Sequence, residues 1–206
     1  MFFVGTHERA AVYFGPMSDE HLRSLKRAAD LGDAVAKMKL DLELGRVRDE
    51  QEIALDVLRS GVSCFVTGGA GTGKTHTIRR FLTDADQITT AITASTGVAA
   101  LELGGVTLHR LAGLKLGRND PVAYERDASW RRWRGYELEE IRALVIDEIS
   151  MLDAATLDLV DGILRFVHGK DAPFGGIQVV FCGDFGQLPP VQKKGEPPKK
   201  FAFESK

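Results

Sequence analysis

Residues 62–75 carry the densest chemistry in the chain. An apolar run, Val62-Ser63-Cys64-Phe65-Val66-Thr67, leads into Gly68-Gly69-Ala70-Gly71-Thr72-Gly73-Lys74-Thr75. This is the G-x-x-x-x-G-K-[ST] pattern of a phosphate-binding loop. Glycines let successive backbone N–H groups point inward at phosphate oxygens, which a Cβ would obstruct. The helix that follows adds roughly half a unit of positive charge at its N-terminus. Lys74 is the candidate ligand of the β- and γ-phosphates, and the Thr75 hydroxyl is a candidate Mg²⁺ ligand. A glycine-rich turn from strand to helix, without a ligand, is the plain structural alternative.

Two later stretches have the same form, an apolar strand ending in polar groups. Leu144-Val145-Ile146 ends in Asp147-Glu148. One carboxylate can hold Mg²⁺, and the other can orient and deprotonate a water for in-line attack on a γ-phosphate. The run through Cys182 ends in Gly183-Asp184-Phe185-Gly186-Gln187-Leu188-Pro189-Pro190. A neutral amide at Gln187 can hydrogen-bond a γ-phosphate or the attacking water, and Pro189-Pro190 stiffens the exit of the turn.

The elements that must position these groups alternate between strand and helix. A helix is expected from about residue 49 to 59 with Gly61 as its stop, then the strand before the loop, then a helix from 75 to 82. Strands are expected at 88–93, 143–146 and 177–182, with a short helix at 98–103 and a longer one through Leu157, Val160, Leu164 and Val167. Nearly continuous apolar strands alternating with helices mean a parallel sheet covered on both faces. Right-handed crossovers put every strand's carboxyl end on one edge, where such sheets bind ligands. Residues 1–48 show helical stripes around Leu22–Ala29 and Val35–Leu42 but no chemistry, and read as a small, mainly helical appendage to a domain over 49–206. Residues 115–136 read as polar and irregular, and Phe201-Ala202-Phe203 as the start of another strand.

With 206 residues, 44% hydrophobic and 27% charged, the composition is that of a globular α/β domain with an appendage. A net charge of −2 excludes global basicity as a reason to bind nucleic acid, so any such site is local. Two cysteines, Cys64 and Cys182, sit in apolar strands and read as buried free thiols. No apolar run approaches the ~18 residues of a membrane span, and Met1–Val4 is too short for the apolar core of a signal peptide. The expected location is the cytoplasm or the nucleoid.

Together these stretches resemble the first motor domain of a superfamily 1B DNA helicase of the Pif-like group, related to RecD-like helicases, over about residues 49–206. Asp49-Glu50-Gln51 is similar to the Q motif and residues 68–75 to motif I. Thr93-Ala94-Ser95-Thr96-Gly97-Val98-Ala99-Ala100, with Gly104-Gly105-Val106-Thr107-Leu108-His109, is similar to motif Ia and its extension. Residues 145–152 resemble motif II, and 183–191 motif III. The resemblance implies a RecA-like P-loop NTPase fold, with ATP and Mg²⁺ as cofactors. Gln51 would contact adenine, Gly68 to Thr75 would bind the phosphates, and Thr75 and Asp147 the metal. Lys74, Glu148 and Gln187 would be catalytic, with Glu148 the base. Thr93, Ser95, Thr96, Gly97 and His109 would lie along single-stranded DNA. Implied partners are single-stranded DNA and DNA junctions, acting on a monomer and not at a membrane.

The chain departs from the family pattern at Gly186, where a large residue is usual, which is expected to loosen the motif III turn. It also ends before motifs IV to VI, so the arginine finger is expected to be missing and unwinding by these residues alone is not expected. A nucleotide-gated single-strand-binding module is the alternative reading, and a P-loop NTPase acting on another partner is a third. A basic-aromatic segment, Arg118 to Arg134 with Trp130 and Trp133, and a lysine loop at Lys193, Lys194, Lys199 and Lys200 could touch DNA by cation–π and phosphate contacts. The two tryptophans, three apart, could equally be the buried face of a short helix.

Overall fold

The computed structural model describes residues 2–4, 50–85, 89–115, 120–192 and 198–205. By its internal contacts the chain divides into two compact units, Met1–Ala85 and Asp86–Lys206. Apart from 2–4, the segment read as a helical appendage lies outside the described residues.

In the first unit, β1 (Phe2–Val4) pairs in parallel with β2 (Cys64–Thr67), Phe3 opposite Phe65. Helix α1 (Glu50–Arg59) buries Ile53, Leu55, Val57 and Leu58 and ends before Gly61, as its 3.6-residue stripe requires. Helix α2 (Lys74–Asp84) buries Ile78, Phe81 and Leu82. Ion pairs join the two helices: Arg59 to Asp84, and Arg80 Nη2 to Glu52 Oε1 at 2.7 Å. Pairs this exposed contribute about 0–1 kcal/mol, against about 1.5–3 kcal/mol for burying one leucine, so burial holds α1 and α2 in place.

In the second unit, β3 (Thr90–Ala94), β4 (Val106–Thr107), β5 (Ala143–Asp147) and β6 (Gln178–Gly183) form a parallel arrangement ordered β6-β5-β3-β4. The register sets Ala94 opposite Asp147 and Ile146 opposite Phe181, so three strands finish level with one another. Every residue of β5 is buried. Short helices α3 (Gly97–Glu102) and α4 (Leu108–Leu111) flank β4.

The stretch expected to be irregular is helical over most of its described length. Helix α5 spans Pro121–Glu125 and α6 spans Ala128–Trp130; a π-helical turn, Arg131–Gly135, runs on into α7 (Tyr136–Glu139). Its sequence signals were local. Asp120 and Asp127 accept backbone N–H bonds as caps, and Pro121 takes the first helical position, where its missing N–H costs nothing. Charged residues outnumber the buried Tyr124, Trp130 and Leu138, which hides the periodicity.

Helix α8 (Ala154–His168) starts on Asp153, whose carboxylate accepts from the Thr156 amide at 2.8 Å and hydroxyl at 3.0 Å. It buries Leu157, Val160, Ile163 and Leu164 and leaves Val167 half-buried. The strand expected at Phe201–Phe203 is instead a 3₁₀ turn, Ala202–Glu204, preceded by one antiparallel bridge from Phe201 to Asp153. The Glu204 carboxylate accepts from the Phe201 amide at 2.7 Å, which curls the backbone before a ladder can form. Cys64 and Cys182 are free and buried, and burial pushes the Cys64 thiol up to about 12. Among the described residues no helix is long and apolar enough to cross a membrane.

Burial raises the Asp153 carboxylate, but the Thr156 amide, the Lys199 ammonium and the Thr156 hydroxyl outweigh it and hold Asp153 below the ordinary carboxylate range. Asp153→Ala is expected to cost about 1 kcal/mol in urea unfolding at pH 7, the usual value of such a cap. Because the folded-state value is lowered, that difference is full above the ordinary carboxylate range and disappears as the pH falls through and below it.

Candidate nucleotide and DNA site

The phosphate-binding loop connects β2 to α2. Gly68 is buried, and the Lys74 ammonium turns back into the loop, donating to Gly68 O at 2.7 Å and Gly69 O at 3.0 Å. The Thr72 hydroxyl donates to Gly69 O at 3.0 Å and draws the loop closed. Helix α2 begins on left-handed Gly73 (φ 84°) with no side-chain cap and no acidic residue in its first turn. Its first N–H groups are therefore left for an anion. By contrast α3, α5 and α8 are capped by Thr96, Asp120 and Asp153. Gly73 has a second constraint: a Cβ there would sit 2.5 Å from the Gln51 amide nitrogen. That amide, on the first turn of α1, also donates to Thr72 O at 3.4 Å. The residue expected at adenine thus lies against the loop in the same unit. Thr75 is half-buried on the first turn of α2.

The carboxylate stretch stands at the end of β5 in the second unit. Asp147 is 5% exposed, and its Oδ1 accepts from the Glu148 amide at 2.8 Å. Glu148 has φ 53° and ψ 43°, one of two non-glycine residues at positive φ among the described residues. A left-handed non-glycine residue costs of order 1–3 kcal/mol and persists only where its surroundings hold it. Nothing in the sequence marks this turn. Gly183, at the end of β6, makes room for it, since a Cβ there would lie 3.0 Å from Ile149 N.

Gln187 is exposed beyond β6. Its amide nitrogen donates to Asp184 Oδ2 at 3.2 Å, and Asp184 Oδ1 accepts from the Gly186 amide at 2.9 Å. The turn expected to be loosened by Gly186 is tied by Asp184, a residue that sequence reasoning passed over. Phe185 packs edge-on against Phe201 and Phe203, with ring centroids 6.2 and 4.9 Å away.

The residues expected along DNA separate into two groups. Thr93 is fully buried, and its hydroxyl donates to Val145 O at 2.7 Å. Its side chain is packed within the sheet, on the second-to-last residue of an interior strand. Ser95 donates its hydroxyl to Glu148 O at 2.8 Å and its amide to Asp147 O at 3.1 Å. Thr96 caps α3 by accepting from Ala99 N at 3.3 Å. Gly97 is exposed, as are Val98 and Leu101 beside it and His109 on α4.

The two tryptophans also part. Trp130 is buried and donates its indole N–H to Ala112 O at 3.0 Å, whereas Trp133 is 72% exposed. Both belong to one helical run, but the π-helical turn widens the spacing and carries Trp133 off the buried face. Arg131 sits over the Phe166 ring, 5.5 Å from its centre, in the last turn of α8. That helix returns from the carboxyl end of β5 towards the start of β6, so the arginine–tryptophan segment lies towards the amino ends of the strands. It is not on the edge that carries Ser95, Glu148 and Gln187. Lys199 pairs with Asp153 at 3.2 Å, while Lys193 and Lys194 lie outside the described residues.

A family model described as PIF1-like helicase matches residues 46–206. The chain belongs to the PIF1-like helicase family. It is 45% identical over 174 residues to the ATP-dependent DNA helicase PIF1 of Saccharomyces cerevisiae, which covers 82% of this chain and 20% of that protein. It is 41% identical over 177 residues to the Homo sapiens ATP-dependent DNA helicase PIF1, covering 84% of this chain and 26% of that protein. Among solved structures, the Pif1 helicase from Candida albicans aligns with TM-score 0.70 and 42% identity over 77% of this chain and 36% of that one. Pif1 from Bacteroides in complex with ADP-AlF3 and single-stranded DNA aligns with TM-score 0.67 and 36% identity, covering 77% of this chain and 38% of that one. The fold is RecA-like α/β, as this PIF1-like chain's motifs implied. The chain spans about a fifth to a quarter of the length of the curated relatives it matches.

Gly73→Ala is expected to lower affinity for a fluorescent ATP analogue by at least about 10-fold, the equivalent of one charge-assisted hydrogen bond. The left-handed backbone and the Gln51 amide both oppose the added methyl. Retention of wild-type affinity in an equilibrium titration would contradict the loop geometry.

Proposed function

We propose that residues 49–206 are the first motor domain of an ATP-driven DNA helicase that tracks along single-stranded DNA and opens duplexes and junctions when complete. The observation that carries the reading is the α2 N-terminus. It is left-handed, uncapped and free of acidic residues, with Lys74 turned into the loop ahead of it. Family membership and the three polar strand ends support the rest.

In this reading Lys74 exchanges two loop carbonyls for the β- and γ-phosphate oxygens. The backbone N–H groups of Gly68 to Thr75 take the remaining phosphate charge, and Gln51 contacts the adenine. Among the described residues no group of three or more His, Cys, Asp or Glu side chains could hold a metal by itself. The donor set instead suits Mg²⁺, which binds through one or two protein oxygens plus phosphates and water. Thr75 and Asp147 would hold it, and it would neutralise charge on the phosphates. Glu148 takes the proton from the attacking water, and Gln187 reports the γ-phosphate. Thr96, Gly97 and His109 contact the DNA backbone. A RecA-like domain with backbone contacts and no base readout suits movement along a strand of any sequence.

The 206 residues are expected to bind ATP with Mg²⁺ and to turn it over slowly. Glu148→Gln is expected to keep ATP affinity while lowering turnover by about 10²–10⁴-fold, the usual contribution of a general base. Steady-state hydrolysis with and without an oligo-dT strand measures this. Oligo-dT affinity that changes with ATP while wild type and Glu148→Gln hydrolyse equally would favour a nucleotide-gated binding module instead.

A further inference from the structure

Ser95 stands in the loop that leaves β3, a natural position for a DNA contact, yet both of its donors are already committed. Its hydroxyl donates to Glu148 O at 2.8 Å and its amide to Asp147 O at 3.1 Å. A serine hydroxyl has one proton, so it cannot donate to Glu148 O and to a phosphodiester oxygen together.

The turn it grips needs holding. Glu148 is left-handed, and two bonds at its backbone are local: Glu148 N to Asp147 Oδ1 at 2.8 Å and Met151 N to Glu148 O at 3.1 Å. The Ser95 bonds reach it from the residue that follows β3, the strand paired in register with β5. Thr93, two residues earlier, makes the same kind of bond to Val145 O, so three carbonyls of residues 145–148 accept from residues 93–95.

We propose that Ser95 is a positioning residue for Glu148. Its hydroxyl and amide clamp the Asp147–Glu148 backbone in the left-handed turn that fixes where the Glu148 carboxylate departs from the chain. The assignment rests on the reading of Glu148 as the general base. It leaves Thr96 and the residues after it, not Ser95, to meet the DNA.

The test compares Ser95→Ala and Ser95→Thr with the parent chain. Slow hydrolysis of radiolabelled ATP is followed with and without oligo-dT. Ser95→Ala is expected to lower kcat by about 3- to 10-fold, the worth of one neutral hydrogen bond, with KM for ATP and affinity for oligo-dT unchanged. Ser95→Thr, which restores a hydroxyl, is expected to recover most of the rate. Weakened oligo-dT binding with normal kcat at saturating DNA would overturn the proposal and make Ser95 a DNA contact. Hydrogen exchange of the Met151 amide supplies a readout that does not need turnover. It is expected to quicken in Ser95→Ala and to return towards normal in Ser95→Thr, and unchanged exchange would also overturn the clamp. A parent chain that hydrolyses no ATP would count against the helicase reading, while the exchange measurement would still decide the role of Ser95.

Discussion

A parallel strand covered on both faces meets its first charged groups at its carboxyl end, and β5 does so at buried Asp147 and half-buried Glu148. Five consecutive buried residues satisfy their backbone through β3 and β6, and the chain then has to turn with two carboxylates in hand. It does so by placing Glu148 in the left-handed region. The surroundings are shaped around that choice: the Asp147 carboxylate folds onto the Glu148 amide, Ser95 crosses from β3, and Gly183 carries no side chain where one would press on Ile149 N. The local cost is offset by hydrogen bonds and by the burial of Leu144, Val145 and Ile146 in the same strand.

The helix starts show the complementary logic. Capping a helix is worth about 1 kcal/mol, and the chain uses Thr96, Asp120 and Asp153 for that purpose. At α2 it forgoes the cap and accepts a left-handed glycine packed against Gln51. Stability is given up at a helix start whose first turn carries no acidic residue. The same economy appears beyond β6, where Asp184 rather than bulk at position 186 holds the turn that presents Gln187.

Much of this was legible beforehand. The strands, the main helices, the loop and the carboxylate pair follow from apolar periodicity and glycine spacing, signals carried by neighbouring residues. The features that were not legible have a common cause. In residues 120–139 the caps were visible but the buried side chains were too few to outweigh the charges around them. The π-helical turn that separates Trp130 from Trp133 depends on packing against Ala112 and Phe166, far away in sequence. The burial of Thr93, on a strand whose end could be exposed, depends on which strands lie beside it.

By itself the sequence determined which groups could act: a phosphate loop with Lys74 and Thr75, two carboxylates at 147 and 148, an amide at 187, and a family to which all of them belong. These are properties of residue type and short-range spacing, and no tertiary contact is needed to state them. The tertiary structure alone decided how the groups are held: Glu148 left-handed, Ser95 spent on its carbonyl, Thr93 withdrawn into the sheet, Gln187 leaning on Asp184. Each depends on a hydrogen-bond partner or a gap for a Cβ supplied by another part of the chain. Which partner arrives is set by strand order and register, and these exist only once the chain has folded.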